Sequence, residues 1–188
     1  MVKNLDQFDN LVEAFGKIPG VGKKSAIKYA YYIALQDPFF GLNLAHTIEN
    51  SIHNLKHCVI CGGISQNEIC DICANDSRDS SLICVVESPK DILTIEDSHS
   101  FDGLYFVFSD IQSVEKLKDM IIKFSSKELI FAFSPSINSD GIMLYIEDQL
   151  KDININFTKI AQGIPTGVSL ENVDMLSLTK AIKDRKEL

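Results

Sequence analysis

Four cysteines do most to limit what this chain can become. Cys58 and Cys61, then Cys70 and Cys73, form two Cys-x2-Cys pairs separated by eight residues. Each pair can place two sulfurs on one ion, and four thiolates at about 2.3 Å complete a tetrahedral zinc site. Gly62 and Gly63 supply the tight backbone that such a knuckle requires. Four free thiols or disulfides are the competing readings. The N-terminus, MVKNLDQFDN, lacks the apolar core of a signal peptide, so the chain is expected in the cytoplasm, where paired Cys-x2-Cys units favour zinc. Four thiolates leave no open position, which makes the site structural. By ligand count it carries a charge of about −2, which Lys56 and Arg78 are placed to soften. Cys84 lies inside an apolar run and is assigned to the core. His57 adjoins the first ligand but is not counted among the four, and His46, His53 and His99 show no partner spacing.

The texture differs on either side of the cluster. Before it, Leu5, Phe8, Leu11, Val12 and Phe15 recur at helical steps, predicting a helix over 5–15. A second helix is expected from Lys23 to about Leu35, stopped by Asp37-Pro38, and a third over about 42–55. After it, short apolar runs at 82–86, 104–108, 129–133 and 155–160 predict strands, with helices between them at about 113–124 and 140–151. Ser88-Pro89-Lys90-Asp91 reads as a helix start, with Ser88 as the cap and Asp91 closing the box. Alternating strands and helices imply a small α/β domain, its mostly parallel sheet covered on both faces. No segment approaches the roughly 20 apolar residues of a membrane span.

Between the first two helices stands Ile18-Pro19-Gly20-Val21-Gly22. Its glycines let backbone approach another surface closely, and the next helix presents free N–H groups and a positive dipole end at the same place. That arrangement suits phosphate, with Gly20, Gly22, Lys23, Lys24 and Lys28 as the DNA-contacting candidates. A nucleotide P-loop fails on spacing, because Gly16 is one residue too far from Gly22 and Lys24 occupies the hydroxyl position. A plain helix–turn–helix corner with solvated lysines is the bland reading. The hairpin sequence resembles the helix-hairpin-helix motif, which binds DNA backbone without reading sequence.

Charge narrows the partners. The net charge is −8, which argues against DNA binding by bulk electrostatics. Residues 1–57 hold six basic and five acidic side chains, whereas the remainder holds 12 and 21. DNA contact is therefore expected from the N-terminal part, or from an assembly that gathers its lysines, and protein contact from the acidic remainder.

IPGVGKKSAIKYA, then the paired cysteines, then ICVVESPKDI, then QGIPTGVSLENVDMLSL follow one another in an order that resembles the bacterial RecR family of recombination mediators. The resemblance spans nearly the whole chain. It implies a helix-hairpin-helix region at 1–56, a four-cysteine zinc finger at 57–78, a Toprim domain at 79–162 and a C-terminal oligomerisation or Walker B-like segment at 163–188. It also implies one structural Zn²⁺, and assembly as dimers and ring-like tetramers able to surround DNA. The implied partners are DNA, RecO and, in many bacteria, RecF, with loading of RecA onto single strands coated by SSB as the outcome. No membrane partner is expected.

Within the Toprim signature, ESPKD places Glu87 after the first strand, and Glu87, Asp91 and Asp140 are the expected partner-binding positions. Catalytic Toprim enzymes also carry a paired-acid motif after a later strand. Here FAFSPSINSDG (131–141) offers only Asp140, and Asn138, Ser139 and Asp140 stand where relatives often keep Glu-Gly-Glu. The loop at 108–117 is shorter than in relatives. The tail keeps Glu171, Val173 and Asp174. The expectation is a DNA-repair scaffold with no catalytic residue. One alternative is a Mg²⁺-dependent Toprim nuclease, primase or strand-passing enzyme, for which Asp110 is the candidate second acid. Another is a zinc scaffold that binds only protein partners.

Overall fold

The computed structural model describes residues 5–161, 163–164 and 166–183. The chain divides into two compact units, Met1–Leu55 and Lys56–Leu188.

The first unit is helical: α1 (Asp6–Gly16), α2 (Lys23–Tyr31) and α3 (Pro38–Asn54). The ring of Phe15 meets that of Tyr29 edge-on, with centroids 6.0 Å apart, and joins α1 to α2. α2 does not run on to Leu35 as an α-helix. It widens into a π-helical turn over Tyr32–Gln36, closed by the Asp37 amide donating to the Tyr32 carbonyl at 2.8 Å. Asp37-Pro38 ends that turn and also opens α3, which starts four residues earlier than its apolar pattern predicts. Pro38 sits at the first helical position and the Asp37 carboxylate accepts from the Phe40 amide at 2.9 Å. Gly41 faces the widened turn so closely that a Cβ there would lie 2.7 Å from the Ile33 carbonyl oxygen.

The second unit begins with a two-stranded antiparallel ladder, β1 (Lys56–His57) and β2 (Ile64–Ser65). Its main sheet is wholly parallel, in the order β4 (Gly103–Val107), β3 (Asp79–Val86), β5 (Glu128–Ala132), β6 (Asn156–Lys159). The crossovers are α4 (Pro89–Asp97), α5 (Ser113–Phe124) and α6 (Ile137–Gln149). Ile83, Val85, Leu104, Phe106, Leu129 and Phe131 point to one face and pack on Val114, Leu117 and Ile121 of α5 and Ile146 of α6. Cys84, Val86, Tyr105 and Val107 point to the other, against Ile92 and Ile95 of α4. Alternate residues of β3 are thus buried on both sides, which is why its sequence reads as an unbroken apolar run. The two faces are unequally covered, with α5 and α6 on the first and α4 on the second. The Cys84 thiol, 4 % exposed, is pushed up to about 12 by burial and belongs to the core, as its sequence context implies.

Beyond the sheet a short 3-10 turn at Leu170–Asn172 leads to α7 (Met175–Lys183). Among the described residues, no helix is long and apolar enough to cross a membrane.

Candidate metal centre and nucleic-acid interface

The Sγ atoms of Cys58, Cys61, Cys70 and Cys73 all lie within 4.8 Å of one another. Cys61 and Cys70 approach to 3.6 Å, close to the edge of about 3.8 Å in a tetrahedron with 2.3 Å zinc–sulfur bonds. Three backbone amides donate to these sulfurs: Gly63 to Cys61 and Cys70 to Cys58, both at 3.3 Å, and Cys73 to Cys70 at 3.5 Å. Amides aimed at sulfur favour the thiolate, the form that binds metal. Crowding opposes it. Hydrogen bonding to Cys61, and then to Cys73, holds Cys70 down at about 2, while the contact with Cys70 pushes Cys61 up to about 12, and contacts with Cys61 and then Cys70 push Cys73 well above the ordinary thiol range. Four sulfurs this close need a dication among them before all can ionise. Their number, geometry and softness fit Zn²⁺, and the site is a structural zinc centre with one ion per chain.

The backbone shapes this knuckle. Gly62 has φ +75°, and the Gly62 amide donates to the Cys58 carbonyl at 2.9 Å. The β1–β2 ladder carries the first cysteine pair. His57 is not directed at the sulfurs. Its Nδ1 lies 3.0 Å from the Gly62 carbonyl oxygen. The knuckle also lies along β4, where the Val107 amide donates to the Cys61 carbonyl at 2.8 Å. A Cβ on Gly62 would come 3.2 Å from that of Val107. Because β4 is an edge of the sheet, the knuckle caps the Val107 end of that edge.

Arg78 does not soften the sulfur charge, as its position in sequence suggests. It donates to the Gly103 carbonyl at 3.0 Å and forks onto the Glu96 carboxylate at 2.5 and 3.2 Å. Its guanidinium lies 5.7 Å from the centre of the Tyr105 ring, whose hydroxyl donates to Glu96 at 2.6 Å. Local sequence carried no sign of this brace, because its members are separated by 9 to 27 residues and meet only through the sheet.

Glu87 follows β3 at the crevice where the crossovers diverge to β4 on one side and β5 on the other, the usual ligand position in an open α/β sheet. Its carboxylate accepts from the Ser134 amide at 2.9 Å. It lines a cavity with His57, Ser88, Ser113 and Lys116. Asp91 is committed to the predicted capping box, accepting from the Ser88 amide at 2.8 Å. Asp140 instead lines a separate groove with Met143, Leu144 and Glu147. The Asp110 carboxylate accepts from the Ser113 amide at 2.9 Å. Ser139, buried at 1 %, forms a second capping box with Ser136 at the start of α6. Among the described residues, the four cysteines are the one group of three or more Cys, His, Asp or Glu side chains close enough to share an ion. Asp174 caps α7, its carboxylate accepting from the amides of Leu176 and Ser177 at 3.1 and 2.9 Å and held below the ordinary range by those bonds.

In the helical unit, the Val21 amide donates to the Ile18 carbonyl at 3.0 Å, closing a turn with Pro19 and Gly20 at its centre. Gly20 takes φ +83°, the left-handed value such a turn demands. α2 starts on Gly22 with no side-chain cap. A Cβ at Gly20 or Gly22 would meet nothing within 4 Å, so the turn stands open. Lys23, Lys24 and Lys28 are all exposed on α2.

Three family profiles match in chain order: the RecR helix-hairpin-helix over residues 8–52, the RecR zinc finger domain with four cysteine ligands over 55–75, and the Toprim domain over 81–161. Among curated relatives, a recombination protein RecR of Campylobacter jejuni subsp. jejuni (strain 81-176) is 50% identical over the whole of both chains. That of a Nitratiruptor species is also 50% identical over the whole of both. That of Helicobacter pylori (strain Shi470) is 46% identical over 97% of this chain and 95% of its own.

Proposed function

The chain belongs to the RecR family of recombination proteins, and on that premise we propose that it is a non-enzymatic mediator of DNA repair in the cytoplasm. It binds DNA as an oligomeric ring, and acts with RecO, and with RecF where that protein is present, to load RecA onto SSB-coated single strands. The division of labour follows the segments 1–56, 57–78, 79–162 and 163–188. The hairpin at Gly20 and Gly22, with Lys23, Lys24 and Lys28, contacts phosphates. The zinc finger holds the edge of the Toprim sheet, and the Toprim domain, through Glu87, Asp91 and Asp140, offers a surface to protein partners.

The observation that carries this reading is the open turn. A left-handed Gly20 and an uncapped, unobstructed start of α2 give free N–H groups beside three exposed lysines, Lys23, Lys24 and Lys28, which suits a phosphate backbone and no particular base.

Assembly is supported by the helical unit's surface. Its fully buried apolar residues, among those described, are Ala26 and Ala30, while Phe39, Leu42 and Ile52 of α3 are 73–76 % exposed. A groove of about 810 Å³ is lined by Leu5, Phe8, Leu11, Tyr31, Ala34 and Leu35. Apolar surface on this scale in so small a unit calls for a second copy. A ring of copies also gathers four sets of Lys24 and Lys28, which answers the net charge of −8.

The test is DNA binding by the zinc-loaded protein across a salt series, alone and with RecO, with the mass in solution measured alongside. An oligomer whose affinity falls steeply with salt supports the reading. A monomer without DNA affinity, even with RecO, overturns the phosphate-binding hairpin. Mg²⁺-dependent cleavage of DNA would instead favour a Toprim enzyme.

A further inference from the structure

The sheet of the second unit has two edges, and they are treated differently. At β4 the Val107 amide is taken by the Cys61 carbonyl. At β6 no strand follows, among the described residues. The Asn156 amide donates to Lys127 and that of Ile160 to Phe131 on the β5 side. By the alternation of a strand, the amides and carbonyls of Phe157 and Lys159 therefore face outward. An edge of this kind is a template for another chain.

Beside that edge runs a groove of about 480 Å³ between α6 and β6. Its apolar lining is Phe157, stacked on Phe131 with centroids 6.2 Å apart, with Met143 and Leu144, and Thr158 and the exposed Lys159 line its β6 side. Its rim on α6 carries Asp140 and Glu147, neither in a salt bridge among the described residues. These carboxylates are seven residues apart, hence on one side of the helix and about 10.5 Å apart along it.

We propose that this groove takes an extended protein segment that adds to the outer edge of β6 and carries the pattern basic-x-apolar-x-basic. In a strand those three side chains share one face, and the outer two are roughly 13 Å apart, within reach of Asp140 and Glu147 for flexible lysines or arginines. The central apolar side chain lands on Phe157 and Leu144. Backbone pairing gives the affinity and the face pattern gives the choice of segment. Charge selects the occupant. A whole second copy carries a net charge of −8 and so brings like charge to an acidic rim, whereas a cationic segment of another protein does not. The inference deepens the reading of the Toprim domain as a docking surface and rests on it.

The experiment uses the full-length, zinc-loaded protein and a labelled peptide with Lys-Thr-Phe-Thr-Lys at its centre, followed by fluorescence anisotropy. The reordered Lys-Phe-Thr-Thr-Lys, which sends the phenylalanine to the opposite face, is the control. The first peptide should bind at least tenfold more tightly than the second. Lys159→Pro, which removes an outward amide at a position where an edge strand tolerates proline, should weaken it at least tenfold, and Lys159→Ala should not. The double variant Asp140→Lys, Glu147→Lys should weaken it as much while leaving the edge intact. Equal binding of both peptides, or full binding by Lys159→Pro and by the double variant, overturns the proposal. So does a fall in oligomer mass caused by Lys159→Pro, since a second copy would then hold the edge. RecO tested against the wild-type protein separates the two claims: failure of RecO to bind while the peptides follow the expected order removes the RecO docking reading and leaves the groove's specificity standing.

Discussion

The amide of Val107 and the carbonyl of Cys61 meet at 2.8 Å, so a metal-binding loop and the edge of a parallel sheet share a hydrogen bond. Metal loss should therefore be felt in the sheet. Cys61→Ser, or chelation of zinc, is expected to raise hydrogen exchange at the Val107 amide at least tenfold, about 1.4 kcal/mol of lost protection. Exchange at the Leu129 amide in the centre of the sheet should change far less. Equal loosening at both positions would mean that the knuckle supports the whole unit and not its edge.

Glycines at two places in the helical unit should respond with opposite sign. Gly41→Ala drives a Cβ to 2.7 Å from the Ile33 carbonyl oxygen, and overpacking of this kind costs about 1–3 kcal/mol. Gly16→Ala, in open space at the end of α1, should stabilise by roughly 0.5–1 kcal/mol. Urea titration of both variants checks the pair.

The brace around Glu96 makes stability sensitive to acid. Partial burial raises the Glu96 carboxyl, but hydrogen bonds from Arg78 and Tyr105 and the charge of Arg78 outweigh it, so it sits below its ordinary 4.5. A depressed carboxylate stabilises the fold above its unfolded value, and that contribution fades as pH falls through the folded one. Glu96→Gln should cost about 2 kcal/mol at neutral pH, typical of hydrogen bonds to a charged group. It should also flatten the dependence of melting temperature on pH below about 4.5. An unchanged acid limb in the variant would assign the acid sensitivity to other carboxylates.

On α2, Lys24→Glu should abolish DNA binding, and Lys24→Ala should weaken it evenly across DNA sequences and lower the salt slope by about 1. Affinity measured over a range of salt concentrations decides this, and an unaltered slope would remove Lys24 from the phosphate contacts.

Much of this was readable from sequence where the determinants are local. The cysteine spacing gave the zinc site, Ser88 with Asp91 gave the start of α4, and the apolar run at 82–86 gave the central strand. Pro38 shows where local rules divide, since the same residue that ends one helix can open the next, and the capping carboxylate of Asp37 decides between them. The π-helical turn at Tyr32–Gln36 leaves no mark in an apolar pattern. Contacts across distance were not legible: the Arg78–Glu96–Tyr105 brace and the Cys61–Val107 bond depend on the sheet having formed. Glu87, Asp91 and Asp140, singled out together, are separated by the fold into a crevice, a helix cap and a groove.

The chain order of the knuckle and its strand also sets a sequence of events during synthesis. The last zinc ligand, Cys73, precedes Val107 by 34 residues, so at roughly 5–20 residues per second the ribosome makes the strand about 2–7 s after the ligand set is complete. A knuckle that loads its metal in that interval is already folded when β4 arrives, and the Val107 amide emerges to find its acceptor in place. Where metal is scarce, β4 emerges bare, with its hydrogen-bonding edge offered to any neighbouring nascent chain.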